Sequence, residues 1–386
     1  MILTTYSDLI SHCIDYLGGA TDAENERAAR RAVQSAYADI PNHRRWTYYM
    51  QEGRLTTVDS YSTGTVIYDH SGGANERMLT LTTGTWPSWA ARGVVVISNV
   101  YYQVASRVSD SIITLNTSSN PGADVSSTTY ELYRDVYTLP CDFQAMGDAQ
   151  IVGQSSFLEQ VHPNDWMARQ QIYHGAAMPR LFTITGDPDF FGSMALRFFP
   201  FPDDAYNIAY MYTRLPRPLR FVEVTAGTVT TTSGSTTVTG SSTAFTSAMV
   251  GSVIRFSTST STSDGEYPTG RSGAYPFHLE RTITAVASAT SITVDSDPGE
   301  TLTAVLYTVS DPADIEPGAM TTFLLREVER QCRILKRDLK TSESVERQYQ
   351  QAMFLAFEAD SRNFSSRQVG PTWNSRRLAD MPITLS

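Results

Sequence analysis

Apolar and polar positions change period several times along this chain, and each change predicts an element. Leu9, Ile10, Cys13, Ile14 and Leu17 recur at helical spacing. Thr5-x-x-Asp8 reads as a capping box before them, and Gly18-Gly19 stops the helix. Thr21-x-x-Glu24 repeats the device ahead of a second helix. That helix carries Ala28, Ala29, Ala32, Val33, Ala36 and Tyr37 on one side and Arg27, Arg30 and Arg31 on the other. Period two takes over in Met78–Thr82 and Ser111–Asn116, as in half-buried strands. After Pro140, the spacing of Phe143, Met146, Ile151 and Val152 predicts a third helical region, resuming as DWMARQQIYHG. A strand pair follows, LFTITG and MALRFFPFP, with NIAYMYTRLPRPL beside it.

The strand pattern of the first half returns in the second. MLTLTTGTWPSWAARGVVVI, YQVASRVSDSIITLNTSSNPG and YELYRDVYTLP match TTVTGSSTAFTSAMVGSVIRF, RTITAVASATSITVDSDPG and AVLYTVSDPADIEP. The landmarks pair Gly93 with Gly251, Ile113-Thr114-Leu115 with Ile292-Thr293-Val294, and Leu132-Tyr133 with Leu306-Tyr307. Repetition at this scale speaks for architecture and assembly, not catalysis. The Ser/Thr then Gly-rich run Ser257–Tyr275 reads as a long exposed loop in the second copy. After Pro317, Leu325, Val328, Cys332, Leu335 and Leu339 form a narrow apolar seam between Arg326, Arg330, Arg333, Arg337 and their glutamates. The seam should be buried against Ile14, Leu17, Val33 and Tyr37, so that Leu335→Ala would cost ~2–5 kcal/mol. A break at 341–343 precedes a further helix with Val345, Tyr349, Ala352, Met353 and Ala356.

These patterns predict an α+β chain: a helical bundle with a small β-sheet core, two similar inserted β-modules (small barrels or sandwiches) and an extended C-terminal tail. The divisions fall at 1–53 (helical core, first part), 54–140 (first β-module), 141–222 (helical core, second part, with a central strand pair), 223–317 (second β-module with loop 257–275), 318–364 (C-terminal helices) and 365–386 (tail).

Composition narrows the function. A formal charge of −10 disfavours a binder that works by neutralising phosphates. Cys13, Cys141 and Cys332 have no ligand spacing and sit among apolar residues on predicted helices, which predicts buried reduced thiols in a reducing compartment. No stretch reaches membrane-spanning length, and the amino terminus has no signal-peptide pattern, so no membrane partner is expected. No phosphate loop, HExxH, GxSxG, GxGxxG or EF-hand pattern occurs, and the histidines are dispersed. Neither an active site nor a cofactor or metal is expected. Asp203-Asp204 reads as a solvated turn, and Trp86 and Trp89 as aromatics of a β-module's core or rim more than as a sugar platform.

YTLPCDF, LRFFPFPDDAYNIAYMYTRLPRPL and the closing REVERQC…VERQYQQAMFLAFEADSRNF, in this order, resemble the head-to-tail connector (adaptor, or tail tubular) proteins of tailed bacteriophages. The amino-terminal pair of helices around Gly18-Gly19 is similar too. The resemblance implies a virion protein at the head–tail interface, assembled in the host bacterial cytoplasm. It implies a dodecameric ring of this chain, bound to the portal protein and to a downstream tail or nozzle protein, with double-stranded DNA passing through its lumen. The rival reading is a virion fibre or decoration protein whose β-modules bind host glycans. Candidate partner contacts are Trp373, Arg376, Arg377, Leu378, Met381 and Ile383 in the tail, a density of apolar and arginine side chains that suits a contact surface, with Arg326, Arg330 and Arg333 on the last helical region.

Overall fold

A computed structural model describes residues 4–19, 22–70, 76–170, 175–260, 267–268, 277–335 and 343–364. Among the described residues strand exceeds helix, 37% against 25%, and the strands form three curled seven-stranded sheets. The expected helical bundle with a small sheet core is therefore wrong. The chain divides into two compact units, one formed by residues 1–48 and 216–386, the other by 49–215.

In the second unit, β1 (Met50–Thr56) is followed by the first β-module: β2 (Val66–Asp69), β3 (Met78–Leu81), β4 (Gly93–Ile97), β5 (Val100–Arg107), β6 (Ile112–Leu115), β7 (Val125–Thr128) and β8 (Tyr130–Arg134). They lie in the order β7-β2-β3-β6-β5-β4-β8. The remaining strands are β9 (Tyr137–Thr138), β10 (Phe143–Ile151), β11 (Phe157–Gln160), β12 (Leu181–Gly186), β13 (Met194–Phe199) and β14 (Asn207–Arg214), with one helix, α3 (Pro163–Gln170). Together with β1 they make the sheet β1-β14-β10-β11-β12-β13-β9.

The helix expected after Pro140 is thus a strand, and the reason is visible in its register. β10 pairs with β14 through irregularities between Phe143 and Ala145 and between Met146 and Ala149. Each extra residue shifts the inward parity, so Phe143, Met146 and Ala149 are buried at intervals of three, which imitates a helical stripe. Gly147 sits at the second irregularity, where a Cβ would lie 3.1 Å from the Met211 carbonyl oxygen.

In the first unit, β15 (Thr228–Thr231), β16 (Thr237–Ser241), β17 (Val253–Phe256), β18 (Leu279–Ser288), β19 (Ser291–Val294), β20 (Leu302–Val305) and β21 (Tyr307–Ser310) form the sheet β20-β15-β16-β19-β18-β17-β21. This is the order of the first module, strand for strand. Details repeat as well. Tyr130 lies opposite Ile97 and donates its hydroxyl to the Thr63 carbonyl; Tyr307 lies opposite Phe256 and donates to that of Ala226. Gly64 and Gly227 share a φ of +82° beside backbone oxygens that would clash with a Cβ. Trp86 packs on Tyr130 as Phe245 packs on Tyr307.

These equivalences correct two landmarks. Tyr130, not Tyr133, corresponds to Tyr307. Val95↔Leu132 and Ile254↔Val309 are the matching pairs, so Gly93 stands at Ser252 rather than Gly251. The added length of the second copy lies in one hairpin. β4 and β5 are joined by Ser98-Asn99, both with positive φ, as a tight two-residue turn requires, whereas β17 ends at Phe256 and β18 begins at Leu279. Of the expected long loop 257–275, only 257–260 and 267–268 are described.

Helices α1 (Tyr6–Tyr16), α2 (Ala23–His43), α4 (Ala319–Leu335) and α5 (Glu343–Phe364) pack together, α2 against α1 and α4, and α4 against α1 and α5. The capping box of α1 is formed, with Thr5 Oγ1 accepting from the Asp8 amide and Asp8 Oδ2 from that of Thr5. Asp22, not Thr21, caps α2, accepting from the Asn25 amide at 2.7 Å. Ala29, Ala32 and Ala36 are fully buried, and small side chains there admit a close neighbour.

The seam of α4 is rotated from the expected one. Met320, Phe323, Leu324, Val328 and Cys332 are buried, while Leu325 is half-buried and Leu335 is 41% exposed. Leu339 lies outside the described residues. Cys13 and Cys332 are joined by a disulfide between α1 and α4, and Cys141 is exposed in a turn rather than on a helix. The expected set of three buried, reduced thiols is therefore corrected. The second module is fastened to α1 by Arg255, which is 2% exposed and forms ion pairs with Asp8 and Glu280 at 2.9 and 2.8 Å.

Candidate assembly surfaces

The arginines expected to face a partner are engaged within the chain. Arg330 makes two 2.9 Å bonds to the fully buried carboxylate of Glu327 and lies over the Tyr349 ring of α5. Its hydrogen bond with Glu327 comes first among the causes that raise its pKa. Arg326 and His12 both reach Glu329. Burial alone would raise the Glu329 pKa, but the His12 and Arg326 hydrogen bonds outweigh it and hold the carboxyl below its usual range. Arg333 stacks over Tyr16 of α1 and donates to its hydroxyl. Arg330 and Arg333 thus tie α4 to α5 and α1, while Arg326 supports the Glu329 carboxylate that His12 of α1 reaches. Trp373, Arg376, Arg377, Leu378, Met381 and Ile383 lie outside the described residues.

Two surfaces that the patterns did not single out flank β12. The first is the hairpin tip between β12 and β13, residues 187–193. Asp187 is 9% exposed and organises it: Oδ1 accepts the amides of Asp189 and Phe190, and the carboxylate also takes the Thr138 hydroxyl and the Arg92 guanidinium. Burial pushes against ionisation of Asp187, yet the Asp189 amide, the Thr138 hydroxyl and Arg92 together lower its pKa. Arg92 also lies 5.0 Å from the Phe190 ring. On this fixed base Phe191 is wholly exposed, and Phe190 is 54% exposed. The signal in the sequence is a pair of phenylalanines among turn residues, Asp187-Pro188-Asp189-Phe190-Phe191-Gly192.

The second surface is the other edge of β12. All six of its residues pair with β13, but β11 pairs only with Leu181 and Phe182 before the chain leaves for α3. The Val161 amide donates to the Phe182 carbonyl, and Asp187 pairs with Ser193 on the β13 side. By alternation the N–H and C=O of Ile184 and Gly186 then point to the β11 side, where no described backbone group meets them. A groove of about 300 Å³ lies there, lined by Gln160, Val161, His162, Pro163, Thr183 and Ile184.

Polar chemistry elsewhere is absorbed by the fold. Asp203 accepts the Tyr206 hydroxyl and pushes its pKa up to about 12, and Asp203-Asp204 form an exposed bend. Trp86 is fully buried, and Trp89 packs against the same core. His43 packs among Phe323 and Tyr349, and His278 pairs with Glu300. Asp135 pairs with Arg197 beside a cavity of about 280 Å³; burial raises its pKa and Arg197 opposes the rise. Among the described residues no group of three or more His, Cys, Asp or Glu could hold a metal ion, and no helix is long and apolar enough to cross a membrane. No protein-family model matches the chain, and no curated protein matches it in sequence.

Proposed function

We propose that this chain is a structural virion protein, a ring-forming head-to-tail connector that binds the portal, continues the DNA channel and offers a platform for tail attachment. The observation that carries the reading is the union of the two chain ends. α1 and α2 pack with α4 and α5, so the terminal segments that resemble connectors form one packing unit, with a β-module fastened to it through Arg255. A ring subunit needs such a core, with surfaces left over for a repeated heterologous contact. The charge balance suits a channel wall. Arg44, Arg92, Arg217, Arg255 and Arg330 are each committed to a buried carboxylate, which withdraws them from phosphate binding.

Glycan binding loses its proposed contact in Trp86, which is core. Electron microscopy of DNA-filled, portal-bearing heads mixed with the full chain tests the connector reading. Ring-capped vertices are expected. Bare vertices, or hydrolysis of capsule polysaccharide or peptidoglycan by the pure protein, would overturn it.

A further inference from the structure

We propose that the open edge of β12 receives a strand from a second copy of this chain, its segment Met381–Leu385. The inference rests on the ring reading and names the contact that links neighbours. β12 carries an incomplete ladder: Ile184 and Gly186 hold backbone donors and acceptors toward a groove, and among the described residues no strand pairs with them there. An extended peptide completes such an edge through main-chain bonds and gains specificity from alternate side chains.

The edge of β1 is the natural comparison. All seven of its residues pair with β14, no second strand joins it among the described residues, and it carries the exposed Glu52 and Arg54, paired with each other at 2.7 Å. Charges of that kind guard a strand edge against addition. The open stretch of β12, Thr183-Ile184-Thr185-Gly186, has no charged side chain, and across the groove it faces Gln160, Val161, His162 and Pro163.

The occupant is read from the sequence that follows α5. Met381, Ile383 and Leu385 alternate with Pro382 and Thr384, a period of two. In an added strand the residues facing the receiving edge also alternate. If Met381, Ile383 and Leu385 face it, Pro382 faces away, where its missing N–H costs nothing. The chain from 365 to 386 extended at ~3.3 Å per residue would reach roughly 70 Å, enough to cross to a neighbouring subunit.

Proline scanning in the full chain separates this register from a general need for the tail. Ile383→Pro removes an N–H that must bond β12 and should abolish ring formation, whereas Thr384→Pro removes an outward one and should leave it intact. Hydrogen exchange should show the Ile184 and Gly186 amides slowed roughly tenfold or more in rings relative to monomer. Rings that form with both amides unprotected, or equal effects of the two prolines, would overturn the inference while sparing the ring reading. Should no ring form at all, the ring reading fails first. A synthetic peptide of residues 378–386 added to the full chain then decides for or against the edge by the same exchange readout. Protection already present in the dilute monomer would assign the edge to the chain's own segment or to another occupant, and would count against a second copy.

Discussion

Phe323→Ala and Leu335→Ala, two substitutions on one helix, should differ severalfold in cost. Phe323 is completely buried where α2, α4 and α5 meet, with ring centroids 5.5 Å from His43, 6.2 Å from Trp46 and 5.6 Å from Tyr349. Removing such a ring costs ~3–5 kcal/mol in transfer and cavity terms. Loss of the edge and tilted ring contacts works in the same direction, by about 0.5–1.5 kcal/mol per pair. Leu335 keeps 41% of its surface in solvent, so its truncation leaves little cavity. At about 0.8 kcal/mol per buried carbon, with three carbons removed and roughly three-fifths of the side chain covered, truncation should cost about 1–1.5 kcal/mol. Because the chain has more than one unit, a single unfolding midpoint is ambiguous. Site-resolved hydrogen exchange avoids this, since amides in the middle of α4 report the opening free energy of the bundle itself. Equal losses of protection in the two variants would mean that the seam runs through Leu335 and that the burial assigned to α4 is wrong.

The shared topology of the β-modules makes Tyr130→Phe and Tyr307→Phe parallel perturbations. Each deletes one hydroxyl-to-carbonyl bond and should cost about 0.5–1.5 kcal/mol, read by exchange in β8 and β21. A large cost in one module and none in the other would show that the matching is only formal. The hairpin tip 187–193 should respond to acid through Asp187. Its pKa is lowered by folding, so its contribution is present above the unfolded value of about 3.9 and disappears as pH falls through the folded value. Limited proteolysis at Phe190-Phe191 should therefore stay slow at pH 5 and rise only in stronger acid. In Asp187→Asn it should be fast at neutral pH too.

Legibility of the fold followed the size of the local signal. α1 could be read because its capping box and apolar spacing are contiguous in sequence, and both are present in the fold. The duplicated module could be read because its strands alternate regularly, and alternation fixes which face is buried. β10 could not, because two register irregularities convert period two into an apparent period of three, and nothing within Phe143–Ile151 reveals the partner strand that causes them. α4 failed in a different way. Its alternating charges suggest an outer face, yet Glu327 and Glu329 are buried: Arg330 and Arg326 neutralise them from the same helix, and His12 of α1 and the Tyr349 ring of α5, which the local window does not contain, close over the pairs. The apolar seam then turns about the helix axis to Phe323, Leu324 and Val328, and Leu335 is left at the rim. The surfaces beside β12 were hidden for the converse reason. An open strand edge is defined by a neighbour that departs, here β11 leaving for α3 after Gln160, and no residue of β12 announces it. Only the phenylalanine pair at 190–191 left a mark in the sequence, since two large apolar side chains within a tight turn have no core to enter. Within one chain's sequence such features register only as an unfinished edge and a stranded aromatic pair, because the group that would complete either is not set by neighbouring residues.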